Sequence, residues 1–212
     1  MCDREWDLLE EVFAPVYSPS TGVGADFLGL SGDAPTVAGP SFLEVGTGSG
    51  VIAVLAALAG SERVVALDIS PSAVRNAELN AARHHVAGRV RALHSDLFDG
   101  LGTHERFDTI FWSSNYVLAP AGYEYGSLHE RGYVDAGYRT HRRFLAQAPG
   151  HLTPGGRALL HFSSRGDLAA LHAIAAECGR ALRTVRSVEV LEGEYGNDLV
   201  EHMLFEVLPA PP

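Results

Sequence analysis

The chain contains no lysine. All 16 of its basic residues are arginine, and 26 aspartates and glutamates outnumber them, for a formal net charge of −10. Binding to a phosphate backbone draws its affinity from counterions released by cationic side chains. So acidic a chain is a poor non-specific binder of nucleic acid, and the expectation is no nucleic-acid partner. Cysteine is equally scarce. Cys2 and Cys178 stand alone, which excludes a disulfide framework and a cysteine zinc site. The longest apolar stretch, Val51 to Ala59, falls far short of the ~20 residues that span a bilayer. The N-terminus, Met1-Cys2-Asp3-Arg4-Glu5-Trp6-Asp7, is charged and lacks the apolar centre of a secretory signal. The expectation is a cytoplasmic protein without a membrane partner. His84 and His85 are neighbours in a helical segment and face different ways, so no metal site is assigned.

What is present is ordinary globular composition, 46% hydrophobic and 20% charged over 212 residues, enough for one large domain. Strand and helix patterns alternate. Ser41–Val45 reads as a strand running into glycines, and Val51–Gly60 as a buried helix. Arg63–Ile69 is a β-branched strand, followed by a helix with Ser70 as N-cap and Pro71 at its first position. Val90–His94 and Phe107–Trp112 are strands, and Asp135–Gln147 reads as a helix. Arg157–Phe162 is a further strand, Asp167–Cys178 a helix closed by Gly179. Val185–Leu191 and Leu199–Val207 end the chain, joined by the short turn 193–198. Alternation implies right-handed crossovers and a sheet covered on both faces. The fold class expected is α/β: a Rossmann-like, doubly wound, mostly parallel seven-stranded sheet with a C-terminal antiparallel hairpin. Residues 32–40, rich in Gly, Pro and Ala, read as a linker, dividing the chain into an N-terminal arm (1–40) and a main domain (41–212).

In open α/β sheets, ligands sit at the carboxyl ends of the strands. The first strand ends in Glu44-Val45-Gly46-Thr47-Gly48-Ser49-Gly50. A dinucleotide fingerprint, G-x-G-x-x-G, needs glycine at position 51, which is valine here. Asp68 ends the second strand and can accept hydrogen bonds from both hydroxyls of a ribose. Asp96 follows the third strand and can accept from an exocyclic amine. Glycines and acids at the ends of three successive strands resemble the class I S-adenosylmethionine-dependent methyltransferases, from about Val12 to Val207. The resemblance implies S-adenosylmethionine as cofactor. It sets the G-x-G turn beside the methionine moiety, Asp68 on the ribose, Asp96 at the adenine and Glu44 near the cofactor amine. The implied cofactor set is Thr21, Glu44, Gly46, Thr47, Gly48, Gly50, Asp68, Ile69, Asp96, Leu97 and Ser113.

The fourth strand and its continuation, Phe107-Asp108-Thr109-Ile110-Phe111-Trp112-Ser113-Ser114-Asn115-Tyr116, resemble the F-D-x-I-x-x-N-P-P-Y stretch of amino methyltransferases. These include release-factor glutamine methyltransferases and adenine methyltransferases, where that stretch grips a planar NH₂ group. Val12-Phe13-Ala14-Pro15 and Pro19-Ser20-Thr21 resemble the arm over the cofactor in those enzymes. Here Ser113 replaces the asparagine, and Ser114 and Asn115 replace the prolines. Ser113, Asn115 and Tyr116 are therefore the candidate catalytic residues, with the acceptor left open. Five of seven tyrosines lie between positions 116 and 138. Tyr116, Tyr123, Tyr133 and Tyr138, with His129, are candidate substrate residues of an aromatic pocket; the alternative is that the tyrosines pack the insertion onto the sheet. His129, His141 and Asp135 are candidate bases for a hydroxyl acceptor, and Arg139, Arg142 and Arg143 read as surface charge. The leading expectation is methyl transfer to a small-molecule acceptor, at nitrogen. The alternatives are protein-glutamine N-methylation and an inactive cofactor-binding partner subunit.

Overall fold

The computed structural model describes residues 1–16, 18–32, 39–193 and 196–211. Most of the linker expected at 32–40, and Glu194 and Tyr195 of the final turn, lie outside them. The chain runs α1 (Ser20–Phe27), β1 (Ser41–Val45), α2 (Val51–Leu58), β2 (Arg63–Asp68), α3 (Pro71–Arg83), β3 (Val90–His94), β4 (Phe107–Ser113), β5 (Val117–Ala119), β6 (Val134–Ala136), α4 (Arg139–Gln147), β7 (Leu152–Ser163), α5 (Leu168–Glu177), β8 (Arg180–Glu192) and β9 (Asp198–Pro209). Seven strands form one sheet in the order β3-β2-β1-β4-β7-β9-β8. The β1, β2, β3, β4 and β7 pairings are parallel, and β9 joins antiparallel to β7 and to β8. The order reverses direction at β1, so a crevice opens at the carboxyl ends of β1 and β4.

Strand alternation splits the core into two layers. Phe42, Val64, Ala66, Phe111, Leu159 and Leu204 face α1, α2 and α3. Leu43, Val45, Val65, Leu67, Ile110, Trp112, Leu160 and Phe205 face α4 and α5. Ser70 caps α3 by accepting from the Ala73 amide at 3.4 Å, with Pro71 at the first helical position as expected. The N-terminal arm is held by two buried asparagines one turn apart on α3. Asn80 Oδ1 accepts from the Asp7 amide and Asn76 Oδ1 from the Leu9 amide, both at 2.8 Å. Their Nδ2 groups donate to the carbonyls of Asp7 and Ser49.

The insertion after β4 differs from its expected form. It contains a two-stranded parallel sheet, with Val117–Ala119 paired to Val134–Ala136. The helix expected from position 135 starts at Arg139 because Asp135 is spent on capping it. The Asp135 carboxylate accepts from the Thr140 amide at 3.1 Å and the His141 amide at 3.0 Å, and pairs with His141 Nδ1 at 2.8 Å. Both side chains are buried, so neither candidate base reaches the crevice. Burial alone raises the Asp135 pKa, but the bonds from His141 and Thr140 outweigh it and hold the carboxyl below its ordinary range. Tyr138 is also core: its hydroxyl donates to the Tyr116 carbonyl at 2.7 Å and accepts from the Asp167 amide at 2.8 Å. Removing the carboxylate strands buried donors, so Asp135→Ala is expected to cost about 3 kcal/mol. Urea unfolding checks this, and an unmoved midpoint would show that the pair adds nothing to stability.

Candidate functional site

A cavity of about 200 Å³ opens over the carboxyl ends of β1, β2 and β4. Its floor is the turn after β1. Gly46 and Gly48 sit at φ +64° and +54°, left-handed values that a residue with a Cβ rarely adopts. The turn is pinned from below by the Thr47 amide, which donates to the Leu67 carbonyl at 2.9 Å. Gly50 has a different task. A Cβ there would lie 2.6 Å from the Ala77 Cα, so this glycine lets α2 start against α3. It does not line the cavity, and its expected cofactor role gives way to packing.

Three carboxylates border this floor. Glu44 is 4% exposed, and its Oε2 accepts from the Thr47 hydroxyl at 2.6 Å and the Ala53 amide at 3.0 Å. It thereby ties β1, the turn and α2 together. Burial pushes its carboxyl up to about 8, against the pull of those two bonds. Asp68 accepts from the Gly48 amide on one oxygen and the Ser70 amide on the other, both at 2.9 Å. Burial raises its pKa as well. Asp96 is held by Arg143, at 2.8 Å, and by Arg131, at 3.8 Å.

Of the expected cofactor residues, Thr21, Glu44, Gly46, Thr47, Gly48, Asp68, Ile69, Asp96, Leu97 and Ser113 all line this cavity. Asn115, Tyr116, His129 and Tyr133 line it too. Tyr123 does not; it is exposed, and its hydroxyl donates to Glu130 at 3.3 Å. Phe13 of the arm meets Tyr133 of the insertion with ring centroids 5.6 Å apart, so the two segments approach each other above the cavity. Sequence reasoning missed His161 and His202, which also line it. They lie on β7 and β9, and nothing local in either strand singles them out.

The chain's residues suit a nucleoside carrying a cationic amino-acid tail. A carboxylate can accept about four hydrogen bonds, so Asp68 keeps capacity for ligand hydroxyls beyond its backbone partners. Burial keeps Glu44 protonated in the empty site, and a cation bound beside it would favour its ionised form.

Residues 33–117 match the family described as ribosomal protein L11 methyltransferase (PrmA). The chain is 37% identical over 126 residues to a release factor glutamine methyltransferase of Bordetella pertussis, covering 56% of this chain and 46% of that protein. It is 51% identical over 61 residues to a ribosomal protein L11 methyltransferase of Pelotomaculum thermopropionicum, covering 29% and 20%. A tRNA1(Val) (adenine(37)-N6)-methyltransferase of a Flavobacteriaceae bacterium is 34% identical over 95 residues, covering 44% and 41%. The solved structure of a ribosomal protein L11 methylase from Lactobacillus delbrueckii subsp. bulgaricus superposes with a TM-score of 0.59 at 17% identity, over 94% of this chain and 82% of that one. In fold and in sequence the chain is similar to the class I S-adenosylmethionine-dependent methyltransferases. It spans less than half the length of each of the three sequence relatives described. Those relatives are named for release factors, a ribosomal protein and tRNA. Their names overturn the expectation of a small-molecule acceptor and of no nucleic-acid partner, because the net charge on which it rested averages over a whole surface and does not describe one docking face. Among the described residues no helix is long and apolar enough to cross a membrane.

Glu44 gives this chain a pH signature. The folded chain holds its proton up to about pH 8, whereas the unfolded chain releases it near 4.5. The folded state therefore binds more protons in that window, and its stability falls as pH rises, by up to ~1.4 kcal/mol per unit from this group. Glu44→Gln removes the contribution, while that of Asp68 stays in both proteins. The melting temperature of Glu44→Gln minus that of the wild type is expected to grow from pH 5 to pH 8 in cofactor-free protein. A gap that does not change with pH would mean Glu44 is charged throughout.

Proposed function

We propose that this chain transfers a methyl group from S-adenosylmethionine to a nitrogen of a protein acceptor, a glutamine amide being the acceptor named for one of its relatives. S-adenosylmethionine supplies a methyl group already activated by its sulfonium. The protein's task is then alignment and exclusion of water, and positioning of this kind contributes ~7–11 kcal/mol. In this reading Asp68 holds the ribose, Glu44 faces the cofactor amine, and Asp96 and Leu97 border the adenine. Residues 1–40 act as an arm that covers the site of the 41–212 domain.

The observation that carries the acceptor reading is Asn115. Its Nδ2 donates to the carbonyls of Arg131 and Val134, both at 3.0 Å, which fixes the orientation of the amide. Its Oδ1 is buried and has no partner among the described residues. A buried acceptor left unpaired costs ~1–3 kcal/mol, and an acceptor N–H would satisfy it. Asn115 lies in the cavity wall two residues beyond Ser113, with Tyr116 beside it to stack on a planar group. This stretch resembles the N-P-P-Y element of amino methyltransferases, and in this reading a shifted carbonyl takes over from the missing asparagine.

Purified release factors, ribosomal protein L11 and tRNA, each incubated with methyl-labelled S-adenosylmethionine, test the reading. Label on a protein nitrogen is the expected result; label on tRNA alone, or none, would overturn it. Asn115→Ala is expected to lower kcat/KM for the protein at least ~10-fold with cofactor affinity retained. Asp68→Ala should instead weaken S-adenosylmethionine itself by ~10-fold or more in calorimetry; wild-type affinity would remove the ribose assignment.

A further inference from the structure

On the α1 side of the sheet, four polar side chains from four adjacent strands touch in sequence. Ser113 on β4 stands opposite His161 on β7 in the parallel register, and its Oγ lies 3.1 Å from His161 Nδ1. His161 Nε2 lies 3.0 Å from His202 Nδ1 on β9. His202 Nε2 lies 2.6 Å from Glu192 Oε1 on β8. The histidines are 3% and 2% exposed. The chain begins in the cavity wall at Ser113 and ends at Glu192, whose side chain is 10% exposed and paired with Arg165.

The hydrogens along this chain follow by elimination. An ionised carboxylate only accepts, so His202 Nε2 carries a proton and donates it. A neutral His202 then accepts at Nδ1, which obliges His161 Nε2 to donate. Neutral His161 accepts at Nδ1, which obliges the Ser113 hydroxyl to donate inward. Ser113 is left with only lone pairs toward the cavity. Burial, with the neighbouring His202, pulls the His161 pKa down to about 3, so His161 passes a proton on and does not keep it.

Building on the proposed function, we propose that Ser113, His161, His202 and Glu192 form a relay that removes the proton displaced from the acceptor nitrogen. The balance is simple. A nitrogen–carbon bond forms as the sulfur–methyl bond breaks, and that electron pair stays on sulfur. The N–H proton passes to Ser113 Oγ as the serine's own proton moves to His161 Nδ1. The His161 Nε2 proton moves to His202 Nδ1, leaving an imidazolium against Glu192, from which the proton leaves to solvent. Ser113 touches the acceptor and is the catalytic residue; His161, His202 and Glu192 act through it. The charged and titratable groups around the outer end are Arg165, Asp198 and Tyr116, whose pKa is raised by burial and then by Glu192. Against His161, α1 packs Gly24 and Phe27 and β4 packs Phe111.

Long-range ¹⁵N–¹H spectra of histidine-labelled, cofactor-free protein read the tautomers without catalysis. Nε2–H on both His161 and His202 at neutral pH is expected; Nδ1–H on His161 would overturn the relay. With a protein acceptor, His161→Asn keeps a polar atom toward Ser113 but cannot forward the proton. Its kcat should fall at least ~100-fold with acceptor KM and cofactor affinity unchanged. Glu192→Gln should move the acid limb of the kcat profile to lower pH, because the imidazolium loses its counter-charge. An unchanged kcat in His161→Asn, or an acid limb that stays in place, would also overturn the proposal. If the wild type methylates no protein, the proposed function falls and the tautomers still decide the relay.

Discussion

The site depends on one buried carboxylate. Glu44 sits on β1 where the strand stops, and through Thr47 and Ala53 it bonds both to the glycine turn and to the helix beyond it. Desolvating a carboxyl this thoroughly is costly. The cost is tolerable because the same group fixes where the turn lies. Asp68 completes the arrangement from β2 by accepting from the Gly48 amide. The floor of the cavity is thus held from two strands, and the glycines bend where those carboxylates direct them.

Much of this was legible in the sequence. Apolar runs alternating with helical segments pointed to the doubly wound sheet, and the absence of a long connection before the last strand pointed to the hairpin. Ser70-Pro71 and Gly179 marked helix ends because capping is a local matter. The carboxylates at the ends of β1, β2 and β3 could be found because strand ends cluster by topology. Gly50 was misread because spacing alone cannot separate a glycine that admits a ligand from one that admits a neighbouring helix. Tyr138, Asp135 and His141 were misread because a polar residue in a long insertion looks solvent-facing until its buried partners are known.

Ser113 was a candidate from its motif, but its relay partners were out of reach for a different reason. Positions 113, 161, 192 and 202 are joined only by strand order, and a histidine in a strand carries no signal of its own. The asparagine pair on α3 is similar: Asn76 and Asn80 share a helix face, but their partners are backbone groups of a segment some 70 residues away. Long-range polar contacts between ordinary residue types are where sequence reading stops and packing has to be seen.

The two tryptophans are placed so that each watches a different part of the molecule. Trp6, in the arm, donates from its indole to the Met1 carbonyl at 3.0 Å and packs against His84 at 4.4 Å. Trp112 is the penultimate residue of β4, beneath the glycine turn, where a Cβ on Gly46 would come 3.4 Å from its Nε1. Indole emission follows local polarity, so detachment of the arm and filling of the cavity register on separate fluorophores. Replacing either tryptophan with phenylalanine leaves a single intrinsic optical reporter, and the order of the two events becomes measurable in real time without an added dye.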